Sequence, residues 1–574
     1  MPRLDNIGRK HFLNTPRPVA LRRRHFRLHW SRLILTRWPA LLLAGTLAAC
    51  GGGGGSSTSS PAPAAPADPL PAVNTSAVAA NDPGSNLPPQ WMYGAFMEVY
   101  VRGYQDSDGD GIGDLKGLIQ RLDYLAELGI TGLWLMPVTR SQDNDHGYAV
   151  SDYRAIETQY GSLVDLDELI KQAHARGMGV IIDYVINHSG SLHPAFVNSR
   201  AAPGNSFRDW FIWQAGKPSG WNIYGGDPWR NGGSGYYFGA FSEQMPDFNL
   251  LNPATVSWHQ DNLRFWLNRG IDGFRFDAVG NLVENGPAAW ENQPQNYQIM
   301  GGIKSLVDGY ARRYMVCEGP SDPFGYSAPS ACGSAFGFGH NNNIVRAAKG
   351  DVAAIRAVAE YHLTAPAAIA TMVSNHDSFA GDRLWDQVVG NIGQYKLAAA
   401  TYLLQPGIPF VYYGEEIGMA GGAGLGGDAR LRTPMSWTAD SVRGGFTGGT
   451  PFRALSANIL TNNVAAQQAD AASILAFYKA MISLRKTRPS LARGRYEGVL
   501  ATGSTLSFRR VFNDEQSVVA INYGGTAASL ALSGLVAGAS YSGVWPAGNA
   551  GITADNGGNA SVTLPPQSLL VLGR

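Results

Sequence analysis

The chain has 574 residues, 44% of them apolar and 16% charged, with 45 Lys and Arg against 44 Asp and Glu. That composition describes a globular chain and excludes one that is wholly disordered or membrane-embedded. Residues 1–49 hold ten of the basic residues and one acidic residue, so the remainder has 35 basic and 43 acidic side chains, a net −8 poorly suited to nucleic acid.

The first element is a basic segment followed by the apolar run 39–49, which reads as a secretion signal, too short to span a bilayer. It ends Leu47-Ala-Ala-Cys50, which resembles the lipobox of bacterial lipoproteins. That resemblance implies a signal peptide over 1–49 and export. It also implies membrane attachment through a lipidated Cys50 in a bacterial cell envelope, at the outer membrane, facing periplasm or exterior. Residues 50–90 are rich in Gly, Ser, Pro and Ala and read as a tether, since such a segment buries too little apolar surface to fold. Cys317 and Cys332 are the remaining cysteines. In an oxidising compartment they can pair; alternatively they stay free, with Cys317 a small buried hydrophobe.

From Trp91 short apolar runs alternate with amphipathic ones. Strands are predicted at 96–102, 131–138 and 179–186, and helices at 115–130 and 163–178, the lengths of successive βα units in a parallel sheet. Residues 189–245, rich in Gly, Trp and Tyr, interrupt the alternation as an inserted domain. The rhythm resumes with a helix at 254–271 and a strand at 271–278, then strands at 314–318, 335–338, 370–375 and 409–414 and a last helix at 472–487. Beyond residue 488 short alternating strands, such as 505–511, 517–522 and 568–572, predict an antiparallel β-sandwich. The expected fold class is α/β, a (β/α)8 barrel over 91–487 with an insertion after its third strand and a C-terminal sandwich over 488–574.

The strand IDGFRFDA at 271–278 carries opposite charges two residues apart. Side chains alternate along a strand, so Arg275 and Asp277 share one face while Phe274 and Phe276 share the other. Parallel strands are buried on both faces, and a charged pair there needs a cleft or a function. In a (β/α)8 barrel the chemistry sits at the C-terminal ends of the strands. The predicted strand ends carry Asp183 with Asn187 and His188, then Arg275 with Asp277, then Glu318, then Asn375-His376-Asp377. Singly, Glu318 reads as a helix cap, Asp377 as a turn residue and His188 as a loop histidine. Together they describe a polar active site. A separate run, DSDGDGIGD at 106–114, places Asp106, Asp108, Asp110, Asp114 and the carbonyl of Ile112 at the alternating positions that suit Ca2+. It begins like an EF-hand loop, but Gly117 stands where the bidentate Glu belongs; a metal-free polar turn is the alternative.

The series DYVINH at 183–188, MPDFN at 245–249, GFRFDAV at 273–279, VCEG at 316–319 and SNHD at 374–377 resembles, in order and spacing, the conserved regions of the α-amylase family, glycoside hydrolase family 13. HGYAVSDY at 146–153, GIPFVYYGEE at 407–416 and RTPMSW at 432–437 extend the likeness. It implies Asp277 as nucleophile, Glu318 as acid and base, and Asp377 as the third carboxylate of a retaining glycosidase. It also implies Tyr148, His188, Arg275, His376 and Asp183 as substrate-binding residues, and Ca2+ in the aspartate loop. Trp213, Trp221, Tyr224 and Tyr236 of the insertion can stack on sugar rings, although aromatic side chains more often form a small domain's core.

Two departures bear on specificity. Exo-acting α-glucosidases of this family usually have Asp after GY, where this chain has Ala149; and Ala278 is shared with many α-amylases. Both favour an endo-acting α-1,4-glucan hydrolase acting on starch, glycogen or maltodextrins. The alternatives are an exo-acting α-glucosidase or oligo-1,6-glucosidase, a neopullulanase-like enzyme, a glucan transferase, or, more remotely, a non-catalytic glucan-binding lipoprotein. No protein partner is implied.

Overall fold

The computed structural model describes residues 70–574; the predicted signal, Cys50 and the first part of the tether lie outside the described residues. Seven parallel strands, Phe96–Val99, Gly132–Leu135, Gly179–Tyr184, Gly273–Phe276, Tyr314–Cys317, Ala370–Thr371 and Ile408–Tyr412, lie side by side, the last pairing with the first. The remaining gap is closed by the parallel bridges Cys317↔Ala335 and Phe336↔Ala370. The strand expected at 335–338 therefore exists only as two bridging residues. Gly333 and Gly339, both at positive φ, bound it and leave no room for a ladder. With those residues as the eighth stave, the ring is a (β/α)8 barrel.

Strand register sorts the barrel interior into layers. Phe96 lies level with Phe410, and their rings stack at 4.7 Å; Trp134 lies level with Ile181. With Tyr314 and Phe336 these side chains form an apolar plug. Toward the C-terminal ends the inward residues become Glu98, Asp183 and Arg275, the last two directly paired in register. Gly273 permits the close approach beneath them: a Cβ there would meet the Tyr314 carbonyl oxygen at 1.7 Å. The residues between, such as Met97, Leu133, Ile182 and Phe276, face outward into the helical layer.

The apolar run at 96–102 stops as a strand at Val99 and turns into the helical segment Val101–Tyr104. The helix expected over 115–130 is two, Leu115–Gln120 and Leu122–Leu128. They meet at Arg121, whose side chain leaves to donate to Gln105 and to lie 4.0 Å above Trp437. The insertion holds the helix Pro194–Ala201 and a three-stranded sheet, with Trp221, Trp229 and Phe238 packed together. At the C-terminus a six-stranded antiparallel sheet packs Val518, Ala520, Leu570 and Leu572 against the ribbon Ala528–Leu532 and Ala560–Leu564. Its other face joins the barrel helices, and buried Arg485 and Arg510 donate to the carbonyls of Leu403 and Leu404 at a helix end. Cys317 and Cys332 form a disulfide.

The second part of the expected tether is not free chain. Val78 N–H donates to Asp261, Asn81 N–H to Asn268, and Trp258 donates to the Asn74 carbonyl, all on the helix Pro253–Asn268. Asp82 accepts from the Ala311 N–H, Arg312 donates to the Leu87 carbonyl, and Leu87 is buried. Its backbone groups find side-chain partners that composition does not reveal. Leu87→Ala should therefore cost about 2–5 kcal/mol in denaturant unfolding. Leu70→Ala, at an exposed position, should stay within about 0.5 kcal/mol of the parent.

Candidate active site

The charged layer comes to the surface at the C-terminal ends of the strands. The strand Gly273–Phe276 buries Arg275 and ends just before Asp277. Ala278 follows in the left-handed region at φ 47°, turning the chain so that its N–H meets Glu318 Oε2 at 3.0 Å. Arg275 then holds three carboxylates. Its Nη1 lies 2.9 Å from Asp183 and 2.7 Å from Asp277, and its Nη2 lies 2.9 Å from Glu318. Asp277 and Glu318, gripped by the two ends of one guanidinium, are thereby kept close together.

A second ionic group abuts the first. His376 Nδ1 is 2.6 Å from Glu98, and its Nε2 is 3.1 Å from Asp377 and 2.7 Å from the Tyr148 hydroxyl. Arg432 reaches Asp377 at 2.6 Å from the other side. The Tyr148 hydroxyl also donates to Asp183, and its ring stacks on His376 at 5.5 Å.

These contacts set the protonation states. Burial, the largest influence, raises the Glu318 carboxyl, as do Asp277 and Asp377; Arg275 opposes them, leaving it at about 7. Burial also raises Asp277, opposed by the same Arg275 and reinforced by Asp183 and Asp377, leaving it at about 6. Both carboxyls are thus raised toward neutrality, and sharing one guanidinium they titrate as a coupled pair. Burial penalises charge on Asp377 too, yet His376 and Arg432 outweigh it and keep the group well below the usual carboxylate range. For His376 burial is again opposed and overcome, here by Asp377 and Glu98, which push it up to about 10. His188 has no such partner; burial lowers it to about 3, so it is neutral, and its Nε2 has no protein partner.

Above this layer lies a cavity of about 610 Å³. Asp277, Glu318, Asp377, Tyr148 and His188 line it, with His146, Arg432, Asp428, Tyr224, Phe241 and Phe379 around them. Family-model comparison matches residues 98–494 to "Alpha amylase, catalytic domain". The chain belongs to the α-amylase family.

As a member it is a glycoside hydrolase, and its similarities range widely within the family. It is 33% identical over 448 residues to "Alpha-amylase 3" of Dictyoglomus thermophilum, covering 76% of this chain and 85% of that one. It is 28% identical over 508 residues to an "Oligo-1,6-glucosidase" of Parageobacillus thermoglucosidasius, covering 75% and 90%. Among solved structures, the trehalulose synthase MutB of Pseudomonas mesoacidophila MX-45 superposes with a TM-score of 0.74 at 26% identity, over 85% of this chain and 99% of that one.

The structure divides the expected substrate-binding residues. Tyr148 and His188 line the cavity, whereas Arg275, Asp183 and His376 do not. Those three are almost completely buried and form the ionic layer beneath the floor, because their charged atoms are taken up by one another and by the floor carboxylates. Glu98 and Arg432 were missed as members of the site. Glu98 carried the same signal as Arg275, a charge within an apolar strand; Arg432 lay in a recognised motif but was given no role.

In the aspartate loop, Asp106, Asp108 and Asp114 bring carboxylate oxygens within 4.8 Å of one another. Asp110, expected to join them, is outside that cluster; its Oδ1 accepts from the Ile112 N–H at 2.7 Å. The three clustered carboxylates are hard oxygen donors of the kind and spacing that suit Ca2+.

Because Arg275 compensates buried Asp183, Arg275→Met should destabilise the fold by about 3–5 kcal/mol, read from denaturant unfolding.

Proposed function

We propose that the protein is a retaining α-glucosidase of short α-glucan oligosaccharides, with Asp277 as nucleophile, Glu318 as acid and base, and Asp377 as the third carboxylate. The observation that carries this reading is the single guanidinium of Arg275, which holds Asp277 and Glu318 together. Retaining enzymes need their two carboxyl groups roughly 5 Å apart. Both carboxyls are raised toward neutrality, so the pair can hold one proton, which the acid's role requires on Glu318.

In the first step Asp277 attacks the anomeric carbon while Glu318 gives its proton to the departing glycosidic oxygen. Water then surrenders a proton to Glu318 and attacks the same carbon, releasing Asp277; two inversions leave an α-anomer. Asp377, held ionised, faces the positive charge that develops on the sugar. Neutral His188 is free to meet a sugar hydroxyl through its unpartnered Nε2.

Chain-end action is supported by the comparisons, since the cavity's volume suits an enclosed chain end and an open cleft alike. The relative named as an oligo-1,6-glucosidase, matched over 90% of its length, points the same way. The comparisons thus favour an exo-acting enzyme over the endo-acting one expected from the sequence. Endo-action remains the second reading because Ala149 is buried and supplies no acid to hold a chain end. Maltotriose and a maltoheptaose blocked at its non-reducing end separate the two. Release of α-glucose from maltotriose with the blocked chain untouched supports the proposal; internal cleavage of the blocked chain replaces it with an α-amylase. Asp277→Asn should lower kcat by at least about a thousandfold in either case.

The pH profile follows from the two carboxyl groups. kcat/KM should rise as Asp277 loses its proton through about 6 and fall as Glu318 loses its own through about 7. Glu318→Gln should abolish the alkaline limb.

Ca2+ held by Asp106, Asp108 and Asp114 is part of the same proposal, as a structural ion that ties the loop after the first strand. Chelation should lower the melting temperature and added Ca2+ restore it, while Asp108→Asn should be insensitive to both. Lipid attachment at Cys50 rests on the sequence, and a labelled fatty acid should enter the full chain but not Cys50→Ser.

A further inference from the structure

The insertion's aromatic residues separate into two groups. Trp221 packs against Trp229 and Phe238, and Trp213 lies between the Phe196 ring and the Arg208 guanidinium, 3.6 Å from the latter. Both are partly buried, and neither lines the active-site cavity. Tyr224 differs: it is 63% exposed and lines the active-site cavity.

Its backbone is also unusual. Ile223 and Gly226 exchange hydrogen bonds of 2.8 and 2.9 Å, and between them Tyr224 and Gly225 have φ of 50° and 87°. Two successive positive φ values are those of a type I′ hairpin turn, whose first central position favours Asn, Asp or Gly. A bulky aromatic is costly there, and such strain is retained where the side chain has a task.

The ring is held in a fixed orientation. Phe241 stacks on it at 5.9 Å, Trp290 meets it edge-on at 5.2 Å, and its hydroxyl donates to Asn281 Oδ1 at 3.2 Å. Asn281 belongs to the turn that begins at Ala278, whose N–H holds Glu318. Tyr224 is therefore tied to the Glu318 side of the cavity, while His376 and Arg432 draw Asp377 to the Tyr148 side.

We propose that Tyr224 is a specificity-determining platform for the departing sugar, a pyranose ring that stacks on it while its glycosidic oxygen receives the proton of Glu318. This rests on the glycosidase reading above, in which the acid side is the leaving-group side. A ring leaving group then gains binding from Tyr224, and a leaving group without a ring gains none. Phe241 and Trp290 fix the plane in advance, so that little side-chain freedom is lost on binding.

The test compares maltotriose, whose leaving group contains sugar rings, with α-glucosyl fluoride, whose leaving group has none. Tyr224→Ala should lower kcat/KM for maltotriose at least tenfold more than for α-glucosyl fluoride. Tyr224→Phe, which keeps the ring and loses the bond to Asn281, should restore most of the maltotriose activity. Equal losses on both substrates in Tyr224→Ala, or no loss on either, overturn the platform. Failure of the phenylalanine variant to restore activity overturns stacking as its basis. Wild-type protein inert toward both substrates overturns the α-glucosidase reading and this inference with it, an outcome distinct from an active enzyme whose variants show no preference.

Discussion

The site depends on one buried guanidinium. Arg275 is almost wholly removed from water and is surrounded by Asp183, Asp277 and Glu318. Removing any of these charges from solvent is expensive, and only mutual contact makes the arrangement tenable. Arg275 suits the position because its rigid planar fork offers two separate terminal nitrogens and keeps its charge when buried, whereas a buried lysine loses its proton more readily. Asp183, paired with it in strand register, shares Nη1 with Asp277 and leaves Nη2 to Glu318.

The second ionic group completes the balance. Across both groups the carboxyls of Glu98, Asp183, Asp277, Glu318 and Asp377 face the cations Arg275, His376 and Arg432. Acids outnumber bases, so a proton is retained most readily on the acid farthest from full compensation, and Glu318 has the highest value of the three cavity carboxyls. The same excess of negative charge lies around the space where a sugar would become cationic. Fixed dipoles and charges thus serve both to hold one proton and to stabilise a charge not yet formed. The apolar plug of Phe96, Trp134, Phe336 and Phe410 supports this layer and separates it from the opposite end of the barrel.

Much of this was legible in the sequence because barrel strands are so strongly apolar that a charge within one stands out. Arg275, Asp277, Glu318 and Asp377 were found by that contrast and by their place at strand ends. Glu98 offered the same contrast and was passed over. Depth was not legible: alternation says which face of its strand carries Asp183, but not whether a neighbouring guanidinium or hydroxyl covers it. The bridging pair Ala335–Phe336 was difficult for a related reason, since two residues carry almost no periodicity. Residues 70–90 were harder still. Their composition is that of a linker, and their order comes from partners such as Asp261 and Ala311, about two hundred residues away.

That strap has a consequence for the order in which the chain can be assembled. Asn74 to Leu87 leave the synthesising machinery before any of the barrel, yet their partners run from Arg154 to Arg313. The first strand likewise waits for Phe410 to close the ring. Early segments therefore lack these partners until more than half of the body is made. A stretch of small and polar residues with a single large apolar side chain, Leu87, is well suited to such a delay, because it offers little with which to pair wrongly. Its linker-like composition thus serves the nascent chain, and its hydrogen bonds serve the finished one.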